Sequence, residues 1–365
     1  MTLGTSLVVE LSDLHHTHVR PLALSDDSTP PEGSVLLAVE RFGFSANNVT
    51  YATFGEAMGY WSFFPAPDGQ GQIPVWGHAR VLRSGHPDVA EGAELYGFLP
   101  MATHLLVAPD RADERGFSDG SPHRAARAAV YNRYLLRAVD PFAAASPGPE
   151  LEVVLRPLFT TSFLLEADLA QAGYHGADAV VFTSASSRTA LGAAHLISTR
   201  ERRPAVVGLT RADHVADVRA VGCYDRVLAY DDVPSLPVGT TAVVDLCGDG
   251  SVVADLHHRL GDALVHSSIV GATHWQAEPV DTAGLPGAPR TFFFAPEAAD
   301  RLRATAGAAA VEAALVAGWR SFSEVMAGWL TPSTAVGADA VTAAYRSTLA
   351  GTSSPRDAQV MTLRT

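Results

Sequence analysis

The chain of 365 residues contains no lysine, and all 26 of its Lys-plus-Arg residues are arginine. That absence excludes several chemistries at once. A Schiff-base lysine for pyridoxal phosphate or aldolase catalysis has no candidate. The P-loop for nucleotide phosphates and the protein-kinase strand lysine are excluded as well. The Tyr-x-x-x-Lys pair used by short-chain dehydrogenases cannot occur either. A GC-rich codon bias accounts for the missing lysine with no functional cause.

Other scarcities narrow the class further. There are two cysteines, Cys223 and Cys247, without ligand spacing, so a four-cysteine zinc site is excluded. Both sit in apolar surroundings, which fits reduced, buried thiols in a cytoplasm. Positive charge is in deficit: 26 basic against 39 acidic residues gives −13, against bulk nucleic-acid binding. No apolar run reaches the roughly 18 residues of a membrane span. The segment Met1–Glu10 lacks the basic and apolar regions of a signal peptide. The expectation is a cytoplasmic protein acting on a small molecule, with no nucleic-acid or membrane partner.

Three textures follow one another along the chain. Residues 1–110 carry short β segments such as Val35–Arg41, His78–Leu82 and Leu95–Leu99, separated by Gly and Pro. This predicts a small β-barrel or sandwich. Pro109–Gly120 is polar and reads as a loop. Ser121-Pro122 reads as a helix start, with a helix over His123–Val139. Pro141, Pro147 and Pro149 read as a linker.

From residue 151 strand and helix alternate. Strands are expected at Ala179–Thr183, Ala205–Leu209, Val227–Ala229, Ala242–Leu246 and Ala263–Val270. Helices are expected at Thr189–Ser198, Ala212–Val221 and Ser251–Leu260, and a long one at Ala308–Leu330. Such alternation predicts a doubly wound, Rossmann-like parallel sheet. The division expected is 1–150 for the β domain with a helical extension over about 110–150, and 151–284 for a cofactor domain. Residues 285–365 are expected to return to the first domain.

The first parallel strand ends in Thr183-Ser184-Ala185-Ser186-Ser187-Arg188-Thr189, with no G-x-G-x-x-G. A helix start there still offers N–H groups and a dipole end to a phosphate, and Arg188 adds charge. Ser184, Ser186, Ser187, Arg188 and Thr189 are therefore candidate phosphate contacts; a serine-rich cap with a solvated arginine is the plainer reading. The second strand ends in Thr210-Arg211, with no acid for a ribose 2′-hydroxyl. That chemistry favours NADP over NAD.

At this point the chain resembles the medium-chain dehydrogenase/reductase superfamily up to about residue 280. The resemblance rests on domain order and on Val39–Asn48, Ile73–Ala79, Glu91–Phe98, Phe159–Leu165, Gly222–Asp225 and Val243–Gly248. It implies a GroES-like β-barrel catalytic domain followed by a Rossmann-like domain. The region Asn47–Tyr51 lacks the ligand cysteine of the zinc-dependent branch, so the similarity is to the zinc-free quinone and enoyl reductases. The chain also resembles an uncharacterised subgroup of the superfamily, known mainly as a domain of unknown function.

That resemblance implies NADPH as cofactor and hydride transfer to an activated C=C or carbonyl. It places Thr161 and Gly271 beside the cofactor and makes a homodimer an expectation. A developing enolate needs hydrogen-bond donors and a proton, for which Tyr51 and Asn48 are the catalytic candidates. Tyr60, Trp61, His78, Tyr131, Asn132 and Trp275 are candidates to line the substrate pocket. Plain core packing would explain the aromatic ones equally well. The cluster His15, His16, His18 has no fixed partner ligand and is not expected to bind metal. His257 and His258 are expected to face solvent. The alternative function is a non-catalytic member that binds a small molecule or serves in a complex.

Overall fold

A computed structural model describes residues 3–236, 239–271 and 284–365. The chain folds as two compact units, Met1–Leu155 with Leu330–Thr365, and Arg156–Trp329.

The first unit is built on β structure. Val35–Gly43, Pro74–Ser84 and Glu94–Pro100 are rich in Val, Leu and aromatic residues and pair antiparallel in chain order. The C-terminal strand Asp357–Thr362 returns to pair with Val35–Gly43, and Thr331–Val336 lies parallel to it. A second, three-stranded sheet contains Gly4–Glu10 and Asp13–Leu22.

Residues 109–149 differ from the sequence-based expectation. Pro109–Asp113 and Gly116–Asp119 form a hairpin where a loop was expected. The expected helix His123–Val139 is broken into a turn at Pro122–Arg124, a single helical turn Ala129–Asn132 and a strand Arg133–Leu136. Tertiary pairing overrides helix propensity here. Tyr134 is fully buried between the flanking strands, and its hydroxyl donates to the Phe98 carbonyl at 2.9 Å. Of the three prolines expected to form a linker, Pro147 lies in the short bend between two helices, whereas Pro141, behind an Asp140 cap, and Pro149, at the start of Pro149–Gln171, open helices.

The second unit is a six-stranded, wholly parallel sheet. Its order is Arg226–Ala229, Ala205–Thr210, Ala179–Phe182, Thr241–Asp245, Leu264–Ile269, Arg290–Phe292. With strands numbered by sequence within this sheet the order is 3-2-1-4-5-6, the dinucleotide-fold arrangement with its switch point between the first and fourth strands. Continuous apolar runs such as Ala-Val-Val-Phe suit strands covered on both faces. Val181, Val207, Val243, Leu256 and Leu264 share one core cluster. This unit runs past residue 284, because Arg290–Phe292 extends the sheet and Ala308–Trp329 packs on Arg188–Ser198. Trp319 and Phe322 on that helix are buried, and Phe159 stacks on Phe322 at 5.2 Å. Ser162 and Gly192 let two further helices meet closely: a Cβ on Gly192 would lie 2.5 Å from the Ser162 hydroxyl.

Candidate active site

Ligands of parallel sheets bind beyond the carboxyl ends of the strands, at the switch point. The strand Ala179–Phe182 delivers Thr183 and Ser184 there. Ser184 has φ +48°, a left-handed conformation that strains a non-glycine residue by roughly 1–2 kcal/mol. The loop thus keeps a backbone shape that glycine normally supplies, with serine in place. Ser187 then caps the helix Arg188–Ser198, its side chain accepting from the Ala190 N–H at 3.3 Å. The first turn of that helix presents backbone N–H groups without intrahelical acceptors, which suits an anion.

The remaining expected cofactor residues fall in the same unit. Thr210 is buried, and its hydroxyl lies 3.5 Å from that of Ser186. Arg211 is half-exposed and makes a two-pronged ion pair with Asp213, at 3.1 and 2.6 Å. A 2′-phosphate at Arg211 therefore competes with that carboxylate. The Gly271 N–H donates to the Asp245 carbonyl at 3.3 Å. Thr161 donates to the Pro157 carbonyl within its own helix, and the Thr189 carbonyl accepts from Ser162. Trp275 lies outside the described residues.

Three residues that were not among the expected site residues complete this loop, although Tyr224 and Asp245 lie in stretches that carry the resemblance. The Tyr230 phenol oxygen accepts from the Ser184 N–H at 3.0 Å, and the Tyr224 hydroxyl donates to the Ala185 carbonyl at 3.0 Å. Asp245 is fully buried and gathers the Thr183 hydroxyl, the Cys247 and Gly248 N–H groups and Arg290 around its carboxylate. It ties the ends of three strands together. An acid closing an otherwise apolar strand, Thr-Ala-Val-Val-Asp, was the available sequence signal. Burial pushes the Cys247 thiol far above its usual pKa, so it stays protonated.

In the first unit, aromatic side chains from five elements converge. Tyr51 comes from the helix Ala46–Thr53, Tyr60 and Phe63 from the turn at Tyr60–Ser62 and its end, Trp76 and Phe98 from neighbouring strands, and Tyr131 from its short helical turn. Tyr51 lies 4.6 Å from Tyr60 between ring centres, and Phe98 lies 4.8 Å from Tyr131. The hydroxyls of Tyr60 and Tyr131 are 3.2 Å apart. Burial raises the Tyr60 phenol to about 12 and pushes the Tyr51 and Tyr131 phenols up as well. For Tyr51 a neighbouring Tyr131 adds to this, while hydrogen bonds with Trp76 and Asn47 oppose it. All three phenols keep their protons near neutral pH and serve as O–H donors.

Four expected site residues have other work. Asn48 is buried; its side-chain oxygen accepts from the Ser45 N–H and its NH₂ donates to the Pro74 carbonyl. It caps the helix Ala46–Thr53 and pins it to a strand, with both ends of its amide engaged. Trp61 packs against Gly55 and Gly71. His78 is buried against Glu152 at 3.1 Å, and Arg137 holds the same carboxylate. The Asn132 NH₂ donates to the Arg124 carbonyl at 3.0 Å. These four build the frame around the aromatic cluster.

The histidines also sort themselves. His16 and His18 lie exposed on a strand beside Asp13 and Glu10. Among the described residues no three His, Cys, Asp or Glu side chains gather as a metal site. His258 is exposed as expected, whereas His257 is buried and bonded to Ser267 and the Pro286 carbonyl. The helix turns His257 onto the sheet because Val253, Leu256 and Leu260 share its buried face.

Comparison with known proteins places the chain. Residues 42–354 match the family model described as "Protein of unknown function (DUF2855)", and the chain belongs to that family. No curated protein matches it in sequence. Solved structures do match over nearly the whole length. CurA from Vibrio vulnificus in complex with NADPH is 11% identical, covers 99% of each chain and superimposes with a TM-score of 0.64. A mutant form of enoyl thioester reductase from Candida tropicalis is 12% identical over 99% of this chain and 100% of its own, with a TM-score of 0.58. The yhdH oxidoreductase from Salmonella enterica, in complex with NADP, is 16% identical over 99% and 100%, with a TM-score of 0.55. The two units therefore have a GroES-like and a Rossmann-like fold. Among the described residues no helix is long and apolar enough to cross a membrane.

Proposed function

We propose that this protein is an NADP-dependent, zinc-independent oxidoreductase that reduces an activated C=C or carbonyl of a small molecule. The observation that carries the reading is the left-handed Ser184 at the switch point, leading directly into a capped helix N-terminus. Two of the three solved structures named above hold NADP or NADPH, which supports the same reading.

The residues fit such a cofactor. Ser186, Ser187 and the first turn from Arg188 would hold the pyrophosphate, and Thr210 with Arg211 the 2′-phosphate. Bound there, NADPH supplies a hydride. Asp245 keeps the strand ends and the Cys247–Gly248 turn in register by its hydrogen bonds. Tyr51, protonated at working pH, donates to the oxygen on which charge develops, and the Tyr60–Tyr131 pair stands next to it as a proton reserve. Asn48 acts only through the placement of Tyr51, three residues further along the same helix. A homodimer and a cytoplasmic setting belong to this proposal.

Titration with NADPH and NADP, followed by quenching of the five tryptophans, tests it. Binding of NADPH with turnover of enones, quinones or aldehydes is expected; no binding at millimolar cofactor would sink it. One observation favours a non-catalytic binding role instead: the Ser184 N–H is already bonded to Tyr230. Cofactor binding without turnover on any of those acceptors would select that role.

A further inference from the structure

Arg127 stands at the edge of the aromatic cluster and is unlike its neighbour Arg124. Arg124 is fully buried and compensated, bonding Asp119 at 2.8 Å, the Tyr134 hydroxyl and the Tyr131 carbonyl. Arg127 is half-buried, and among the described residues its side chain has no hydrogen-bond or ion-pair partner; its Nε is shut away from solvent. Its guanidinium lies over the Phe63 ring, 6.0 Å from the ring centre. The contact is made possible by Gly59, whose φ of +70° and missing Cβ leave room: a Cβ there would lie 2.0 Å from an Arg127 nitrogen. Phe63 in turn packs on Tyr131 at 5.4 Å and on Tyr60 at 6.2 Å. A partly desolvated guanidinium held against a ring by a glycine, with no carboxylate to neutralise it, is a standing site for an anion.

The geometry points to a substrate that joins a planar conjugated part, seated on Tyr51, Trp76 and Tyr131, to an anionic group, carboxylate or phosphate, held by Arg127. This deepens the reductase reading and rests on it for the word substrate; the anion site itself does not depend on hydride transfer. In a chain without lysine, the planar fork of arginine is also the group that binds such oxyanions with two parallel hydrogen bonds.

The test uses the full chain and three probes: trans-cinnamate, its neutral methyl ester and phenyl phosphate, with binding read by tryptophan quenching or calorimetry. An anionic probe is expected to bind at least tenfold tighter than the ester, and to weaken with added salt. Whichever anion binds tighter identifies the group as carboxylate or phosphate. Arg127→Gln is expected to abolish the preference while leaving ester binding alone, and Arg127→Lys to retain part of it. Thermal melting checks that each variant folds; should Arg127→Gln not fold, the lysine variant and the salt dependence of the wild type decide. Equal binding of ester and both anions, or a preference that survives Arg127→Gln, overturns the proposal. NADPH affinity is measured on the same samples. An Arg127-dependent anion preference without NADPH binding would refute the reductase reading and leave the anion site standing. NADPH binding with reduction of neutral enones, and no anion preference, would do the reverse.

Discussion

The hydroxyl groups of Tyr60 and Tyr131 meet at 3.2 Å, although 71 positions separate them in the chain. That contact joins two side chains of the aromatic cluster that also holds Tyr51, the donor in the proposed reaction. Tyr51→Phe removes one O–H donor and little volume. Turnover is expected to fall on the order of 10²-fold with NADPH affinity unchanged. Unchanged steady-state turnover on the best acceptor would remove Tyr51 from the mechanism.

Arg211 and Asp213 give a paired prediction. Arg211→Ala should weaken NADPH about tenfold and leave NADH nearly unaffected, since only NADPH carries the 2′-phosphate. Asp213→Asn releases the guanidinium from its ion pair and should tighten NADPH alone. Equal effects on both cofactors, measured by fluorescence titration, would show that Arg211 does not read the phosphate.

Gly192 tests the packing behind the loop that follows the first parallel strand. A methyl group there meets the Ser162 hydroxyl at 2.5 Å and its Cβ at 2.8 Å. Gly192→Ala is expected to destabilise the fold by about 1–3 kcal/mol, as overpacking does. Chemical denaturation reads this directly, and a variant as stable as the wild type would mean that the two helices separate freely.

Acid should destabilise the protein before its carboxylates titrate. His78, His195, His214, His257 and His266 all have lowered pKa values, with burial the leading cause. The unfolded chain takes up protons near pH 6.5 that the folded chain refuses. The stability these histidines contribute is thus fully present above about pH 6.5 and is lost as pH falls below it through their lowered folded-state values. The melting temperature should be lower at pH 5.5 than at pH 7.5, and His257→Gln should narrow that gap. A melting temperature flat across this range would contradict the assignment.

Much of the second unit was legible because its signals are local. Apolar runs such as Ala-Val-Val-Phe, spaced by helical stretches and closed by small or polar residues, define each strand without reference to distant residues. The position of the loop proposed to hold the cofactor was legible, since it follows the first strand of the parallel sheet. Residues 109–149 were not, because the choice between helix and strand for Tyr134 depends on Phe98 and its neighbours, far away in sequence.

The sequence by itself determined the order of units, the parallel sheet, the lack of any lysine chemistry and the arginines near the strand ends. Those properties follow from composition and short-range periodicity. The tertiary structure alone decided which polar groups are occupied. It bound the Asn48 NH₂ to the Pro74 carbonyl and His78 to Glu152, yet left Arg127 without a carboxylate. The physical reason is that hydrogen bonding and desolvation are set by what folding brings within 3–4 Å, and spacing along the chain does not encode that.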